Sequence, residues 1–167
     1  MKKVGILMGS DSDLPVLQKA FDTLESLQIP FEVHVYSAHR TPKEAKEFAE
    51  NARGEGYAAI IAAAGMAAHL AGAVAANTTL PVIGIPVKSA QLDGMDALLS
   101  TVMMPPGMPV ATVGINGAQN AALLAAQIIA VEDSTVAEKL DQMRKANAKK
   151  IIEKNDAVSR EYSRLSY

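Results

Sequence analysis

The chain has 167 residues, carries 16 Lys+Arg against 18 Asp+Glu for a formal charge of −2, and contains neither cysteine nor tryptophan. Disulfide frameworks, iron–sulfur clusters, thiolate nucleophiles and zinc ribbons are thereby excluded, and near-balanced charge with no basic block speaks against nucleic acid or an anionic membrane as partner. A chain of this length buries roughly 70% of the surface its unfolded form exposes, so one soluble domain with a proper core is expected.

Short apolar runs alternate with longer helical patterns. Val4 to Met8 forms a continuous apolar run that ends in Gly9-Ser10-Asp11-Ser12-Asp13, after which Val16, Leu17, Ala20, Phe21, Leu24 and Leu27 recur at helical spacing. Phe31 to Tyr36 is rich in β-branched and aromatic residues and breaks at Ser37-Ala38-His39-Arg40. Thr41-Pro42-Lys43-Glu44 then reads as an N-cap, a proline at the first helical position and a capping glutamate. Tyr57 to Ala64 predicts a third strand, Gly65 to Asn77 an alanine-rich helix, Pro81 to Val87 a fourth strand, and Pro109 to Ile115 a fifth before a helix from about Gly117 to Val131.

Strands apolar along nearly their whole length are covered on both faces, and parallel strands joined by right-handed helical crossovers give a doubly wound fold. The predicted architecture is a parallel five-stranded sheet in order 2-1-3-4-5, a flavodoxin-like three-layer α/β/α arrangement, with a long C-terminal helix. From Glu132 to Tyr167 neither glycine nor proline occurs, and Val136, Leu140, Met143, Ile151, Val158, Tyr162 and Leu165 lie along one stripe, with Asn155-Asp156 as the point where a break would fall. Such a helix would be roughly 50 Å long against a domain about 40 Å across, so part of its stripe needs a neighbour. Residues 1–131 are expected to form the α/β catalytic domain and 132–167 its helical extension. Met1-Lys2-Lys3 enters an apolar segment too short for a signal peptide, and no stretch reaches a membrane span, so a cytoplasmic protein is expected.

In an open parallel sheet, ligands bind beyond the carboxyl ends of the strands where strand order reverses. Three loops should meet there, Gly9–Asp13, Ser37–Pro42 and Ala64–His69, and they hold two of the three histidines, one arginine, three serines and two aspartates. The first suits an anion at a helix N-terminus, but Ser10, Ser12 and Asp13 could equally be helix caps. It is neither a Walker A loop nor a G-x-G-x-x-G fingerprint. An aspartate beside a phosphate is unfavourable, so one of its two aspartates should point at hydroxyls such as those of a ribose. Arg40 suits bidentate phosphate recognition, and His39 can exchange a proton near neutral pH. His34, alternating with Val33 and Val35 inside a strand, reads as structural. His69, one turn into a helix of alanines, is either packed or a ligand. Three scattered histidines without clustered carboxylates predict no metal site, and no G-x-S-x-G elbow is present.

The same residues carry a resemblance. Gly9-Ser10-Asp11-Ser12-Asp13, Ser37-Ala38-His39-Arg40-Thr41-Pro42, Ala67-Ala68-His69-Leu70 and Asn120-Ala121-Ala122-Leu123-Leu124-Ala125-Ala126-Gln127-Ile128 resemble the PurE family of de novo purine synthesis, over about residues 3 to 150. The His-bearing loop after the third strand is similar to the bacterial N5-carboxyaminoimidazole ribonucleotide mutase class. The family pattern usually has a second glycine where Met66 stands and a proline where Ala71 stands, and both departures are expected in the loop covering the substrate's carboxylate.

The resemblance implies a cofactor-free isomerase that moves a carboxylate from the exocyclic nitrogen to C4 of an imidazole ribonucleotide, by decarboxylation in a closed site and recarboxylation. It implies His39 as the proton shuttle, Ser10, Ser12 and Asp13 on the ribonucleotide, Arg40 and Ser37 on its phosphate, and Gly65 and His69 beside the migrating carboxylate. Small residues at Ala64, Gly65, Ala67 and Ala68 would leave space for trapped carbon dioxide. It also implies a homo-octamer in which C-terminal segments pack on neighbours. The alternatives are direct carboxylation of aminoimidazole ribonucleotide and, in a different class, a flavodoxin-like phospho-ligand binding protein. The latter finds little support, because the three loops lack the aromatic rings that flank a flavin. A response-regulator-type domain would need an aspartate where Ala64-Gly65 stand.

Overall fold

A computed structural model describes residues 2–164. Its sheet has five parallel strands, β1 (Lys3–Met8), β2 (Phe31–Val35), β3 (Tyr57–Ala64), β4 (Val82–Pro86) and β5 (Ala111–Thr112), in the expected order β2-β1-β3-β4-β5. The helices are α1 (Leu14–Ser26), α2 (Pro42–Asn51), α3 (Leu70–Ala75), α4 (Met95–Val102), α5 (Ala118–Ala130) and α6 (Ser134–Tyr162). Alternation along each central strand feeds two cores. Val4, Ile6 and Met8 pack with Leu17 and Leu24 of α1 and the alanines of α5. Leu7, on the other face, packs with Ala45 and Ala49 of α2 and Leu70 and Val74 of α3. Small residues set the spacing: a Cβ on Gly5 would lie 2.7 Å from the Phe48 ring, so only glycine lets α2 approach β1 this closely.

Four local expectations are corrected. Thr41 occupies the N-cap of α2, yet its hydroxyl makes no cap bond; it accepts from the Ser37 N–H at 2.8 Å, and so ties the loop rather than the helix. The helix expected from Gly65 runs only over Leu70–Ala75, because Gly65–His69 is loop; His69 is the N-cap residue, not one turn inside. Ala71 therefore lies in the first turn of α3, 3% exposed, packed against the Gly84 backbone of β4 and away from the loop that Met66 occupies. Finally, α4 stands where no element was expected; its stripe Met95, Leu99 and Val102 is left half exposed, so its apolar periodicity is covered on one side only.

The C-terminal helix is continuous over 29 residues, about 44 Å, with no break at Asn155-Asp156. Asp133 caps it by accepting from the Val136 N–H at 3.2 Å. Val136 and Leu140 are buried against the core, and Lys139 donates to the Leu27 carbonyl and Gln28 at the end of α1. Beyond them Ile151, Val158 and Tyr162 of the predicted stripe are exposed, and Leu165 lies outside the described residues. Among the described residues no helix is long and apolar enough to cross a membrane.

Candidate active site

A cavity of about 540 Å³ opens beyond the carboxyl ends of β1, β2, β3 and β4. It is lined by Gly9, Ser10, Ser12, Asp13, Ser37, His39, Arg40, Gly65 and Met66, among others. The switch point between β1 and β3 thus assembles the three predicted loops.

The first loop makes a single 3-10 turn before α1. Ser10 caps that turn, accepting from the Ser12 N–H at 3.3 Å and from the Ser12 hydroxyl at 2.9 Å. Capping and lining are therefore compatible for these two serines. Asp13 is the N-cap residue of α1 but makes no cap bond. It is only 8% exposed, and burial pushes its carboxyl above the usual carboxylate range, with the neighbouring charge of Asp11 adding to the rise and the Ser10 backbone N–H opposing it. A buried carboxylate at a cavity wall is matched to a ligand that donates, such as a vicinal diol, rather than to an anion.

The second loop is tied to itself. Ser37 Oγ accepts from the backbone N–H groups of His39 at 3.3 Å and Arg40 at 3.2 Å, while Thr41 holds the Ser37 backbone. Arg40 reaches across and donates to the Gly9 carbonyl at 2.8 Å, which joins the first two loops and fixes the guanidinium at the cavity wall. Its remaining N–H groups suit a phosphate.

His39 Nε2 stands 2.9 Å from His69 Nδ1, with the two rings edge to face. That contact needs one proton between two ring nitrogens, so while it lasts at most one of the imidazoles is doubly protonated. The pair can therefore hold and release a single proton at the cavity. His69 is not part of the lining and meets the site through His39. Gly65 lies against β4, where a Cβ would come within 3.3 Å of the Val87 carbonyl. Met66 is 72% exposed at the rim and does not fill the pocket. His34 is apart from the cavity, stacked on Tyr36 with Phe48 beside it, consistent with a structural role.

The sequence reading missed a fourth wall, Val87-Lys88-Ser89 at the end of β4. The signal was present: with β4 next to β3, the first polar residues after its apolar run had to fall beside Gly65. Asn116, at φ 57°, holds this wall by accepting from the Lys88 N–H at 2.9 Å and donating to the Pro86 carbonyl at 2.8 Å.

Comparison with known proteins agrees with this geometry. The AIR carboxylase family matches residues 3–150. N5-carboxyaminoimidazole ribonucleotide mutase of Pyrococcus abyssi is 56% identical over 86% of this chain and 83% of its own. Proteins of the same name from Bacillus subtilis and Escherichia coli are 54% and 50% identical, covering 93% and 92% of this chain and 97% and 92% of theirs. The crystal structure of Treponema denticola PurE superposes with a TM-score of 0.86 at 30% identity, over 98% of this chain and 100% of that one. A match over most of the sequence, on the fold and loops described above, means that this chain belongs to the AIR carboxylase family.

Proposed function

We propose that the chain is an N5-carboxyaminoimidazole ribonucleotide mutase, an isomerase of purine biosynthesis that yields 4-carboxy-5-aminoimidazole ribonucleotide. The observation that carries the reading to chemistry is the placement of His39 at the cavity, in the loop it shares with Arg40 and against His69 at the end of the Gly65 loop. About half-identity to relatives of that name over most of the chain supports the same activity.

The proposed reaction needs one proton delivered and one removed. His39 protonates the exocyclic nitrogen as the N–C bond to the carboxylate breaks, so the nitrogen keeps the electron pair and carbon dioxide is released within the cavity. C4 then attacks carbon dioxide, forming the new C–C bond, and gives its proton back to His39. The ribose hydroxyls would be held by Asp13, with Ser10 and Ser12 beside them, and the phosphate by Arg40 and Ser37. Gly65 would border the carboxylate, with His69 behind His39, and the alanines around Gly65 leave it room. No cofactor or metal takes part in this scheme.

Residues 1–131 would then be the catalytic unit and 132–167 an extension that binds neighbours in a cytoplasmic homo-octamer. The exposed half of α6 and the apolar face of α4 support such packing. Light scattering should return a multiple of the 17.6 kDa chain mass; the monomer mass at micromolar concentration would overturn the assembly. The activity itself is tested on the N-carboxylated ribonucleotide in excess chelator and without ATP, where full turnover is expected. Equal or faster turnover from aminoimidazole ribonucleotide with dissolved carbon dioxide would favour the direct carboxylase instead.

A further inference from the structure

The β4–α4 connection is the one cavity wall to which the mechanism assigns nothing. Within it, Ser89 lines the cavity, and its Oγ is shut off from solvent with no hydrogen-bond partner. Among the described residues only Asp96 Oδ1 shares that condition, and Asp96 does not line the cavity. A hydroxyl buried without a partner costs stability, and where it persists at a ligand cavity the missing partner is expected from the ligand.

The backbone around Ser89 is fixed from two sides. Val87 donates to the Ala64 carbonyl at 2.9 Å, which sets the start of this loop beside Gly65. On the other side the Asn116 side chain holds Lys88, and Gly94, at φ +92°, brings its own backbone close enough that a Cβ would lie 3.2 Å from Lys88 Cα. The Lys88 ammonium is turned to Asp93 at 2.8 Å, so the hydroxyl of Ser89, not the neighbouring charge, is the uncommitted group here. In the order β2-β1-β3-β4, this wall is three strand spacings, about 14 Å, from the Ser37–Arg40 loop. One phosphate cannot be shared across that distance.

We infer that Ser89 Oγ–H, closed off in the ligand-free fold, turns about χ1 into the cavity when substrate binds and donates to its carboxylate, keeping it in place during transfer, a role that rests on the mutase reading above. The donor faces an anion at the start, a neutral and weakly accepting carbon dioxide after the N–C bond breaks, and an anion again as C4 attacks. Its hydrogen bond therefore strengthens as the C–C bond forms, which favours recapture over escape.

The test compares wild type with Ser89→Ala and Ser89→Thr. Three readouts serve: turnover of the N-carboxylated ribonucleotide, the fraction released as decarboxylated aminoimidazole ribonucleotide, and calorimetric binding of 4-carboxy-5-aminoimidazole ribonucleotide. Removing an unpartnered hydroxyl should leave the ligand-free melting temperature unchanged or higher. Ser89→Ala should bind the carboxylated product about tenfold more weakly, the usual effect of losing one hydrogen bond to a charged group, and should leak more decarboxylated product per turnover. Ser89→Thr, which keeps the hydroxyl, should restore both. An active wild type with unchanged binding and leakage in Ser89→Ala overturns the role of Ser89 alone. A wild type that neither binds the product nor turns over the substrate overturns the mutase reading, and this inference with it.

Discussion

The two sides of the cavity are built differently. On the side of β1 and β2, nearly every polar group already has a protein partner: Ser10 with Ser12, Ser37 with two backbone N–H groups, Thr41 with Ser37, and Arg40 with Gly9. On the side of β3 and β4 the wall is alanine, glycine, Leu70, Val87 and an exposed methionine, with Lys88 turned to Asp93, and its buried hydroxyl at Ser89 is unsatisfied. A self-bonded loop loses little freedom when ligand arrives, which suits an anchor for the part of a substrate that does not react. An apolar, open-spaced wall with an unmet donor suits the part where charge appears and disappears. His39 bridges the halves, rooted after β2 and bonded to His69 before α3.

The largest effect should come from that bridge. His39→Asn should lower kcat by about 10²–10⁴-fold or more, since in the proposed scheme the same group acts at two proton transfers, while product binding by calorimetry stays close to wild type. Near wild-type kcat would remove His39 from the mechanism.

Next comes the anchor. Arg40→Ala loses the Gly9 clamp and, on the proposed reading, the phosphate donors, so KM should rise about 10–100-fold with a much smaller change in kcat. A fall in kcat with unchanged KM would erase the contrast between an anchoring and a reacting side.

In the proposed scheme Asp13 belongs to the anchor, yet it is held at a cost. Its folded carboxyl titrates above its unfolded value, so the native state binds the extra proton; the associated stability is present below the unfolded pKa and is lost as pH rises through the raised one. Above the raised value the ionised, buried group is a burden. Asp13→Asn should weaken ribonucleotide binding several-fold, raise the ligand-free melting temperature by a few degrees at pH 7, and flatten its acid dependence. A lowered melting temperature at pH 7 would show that the carboxylate is a needed structural partner.

The smallest effect is expected on the reacting side's rim. Met66 is 72% exposed, so Met66→Gly should change kcat/KM by no more than about twofold, in the range of surface substitutions. A larger gain would mean that this side chain closes over the substrate.

Much of this was written locally. The apolar runs give four of the strands to within about a residue, and β3 to the residue: β1, β3 and β4, covered on both faces, declare themselves in a handful of consecutive side chains, and β2, largely exposed at the sheet edge, in its β-branched and aromatic residues. The fifth was overextended: only Ala111 and Thr112 pair with β4, since an edge strand needs a partner on one side alone. The helix expected over Gly65–Asn77 is shorter for a related reason: alanine favours helix wherever nothing opposes it, and here the close approach of Gly65 to Val87 keeps the first residues as loop. The residues of the first three loops were legible because each follows an apolar strand end, whereas Lys88-Ser89 was passed over although it obeys the same rule.

What the sequence determined by itself is whatever depends on a few neighbouring residues: strand and helix periods, the proline start of α2, the uninterrupted α6, and the polar loops at the strand ends. The pairing of His39 with His69 across 30 positions, the burial of Asp13, the packing of Ala71 under β4, and the stranded hydroxyl of Ser89 were decided only by the tertiary structure. Each depends on which strands lie side by side and how closely helices approach them. That is settled by the packing of two cores at once, which no local window of residues contains.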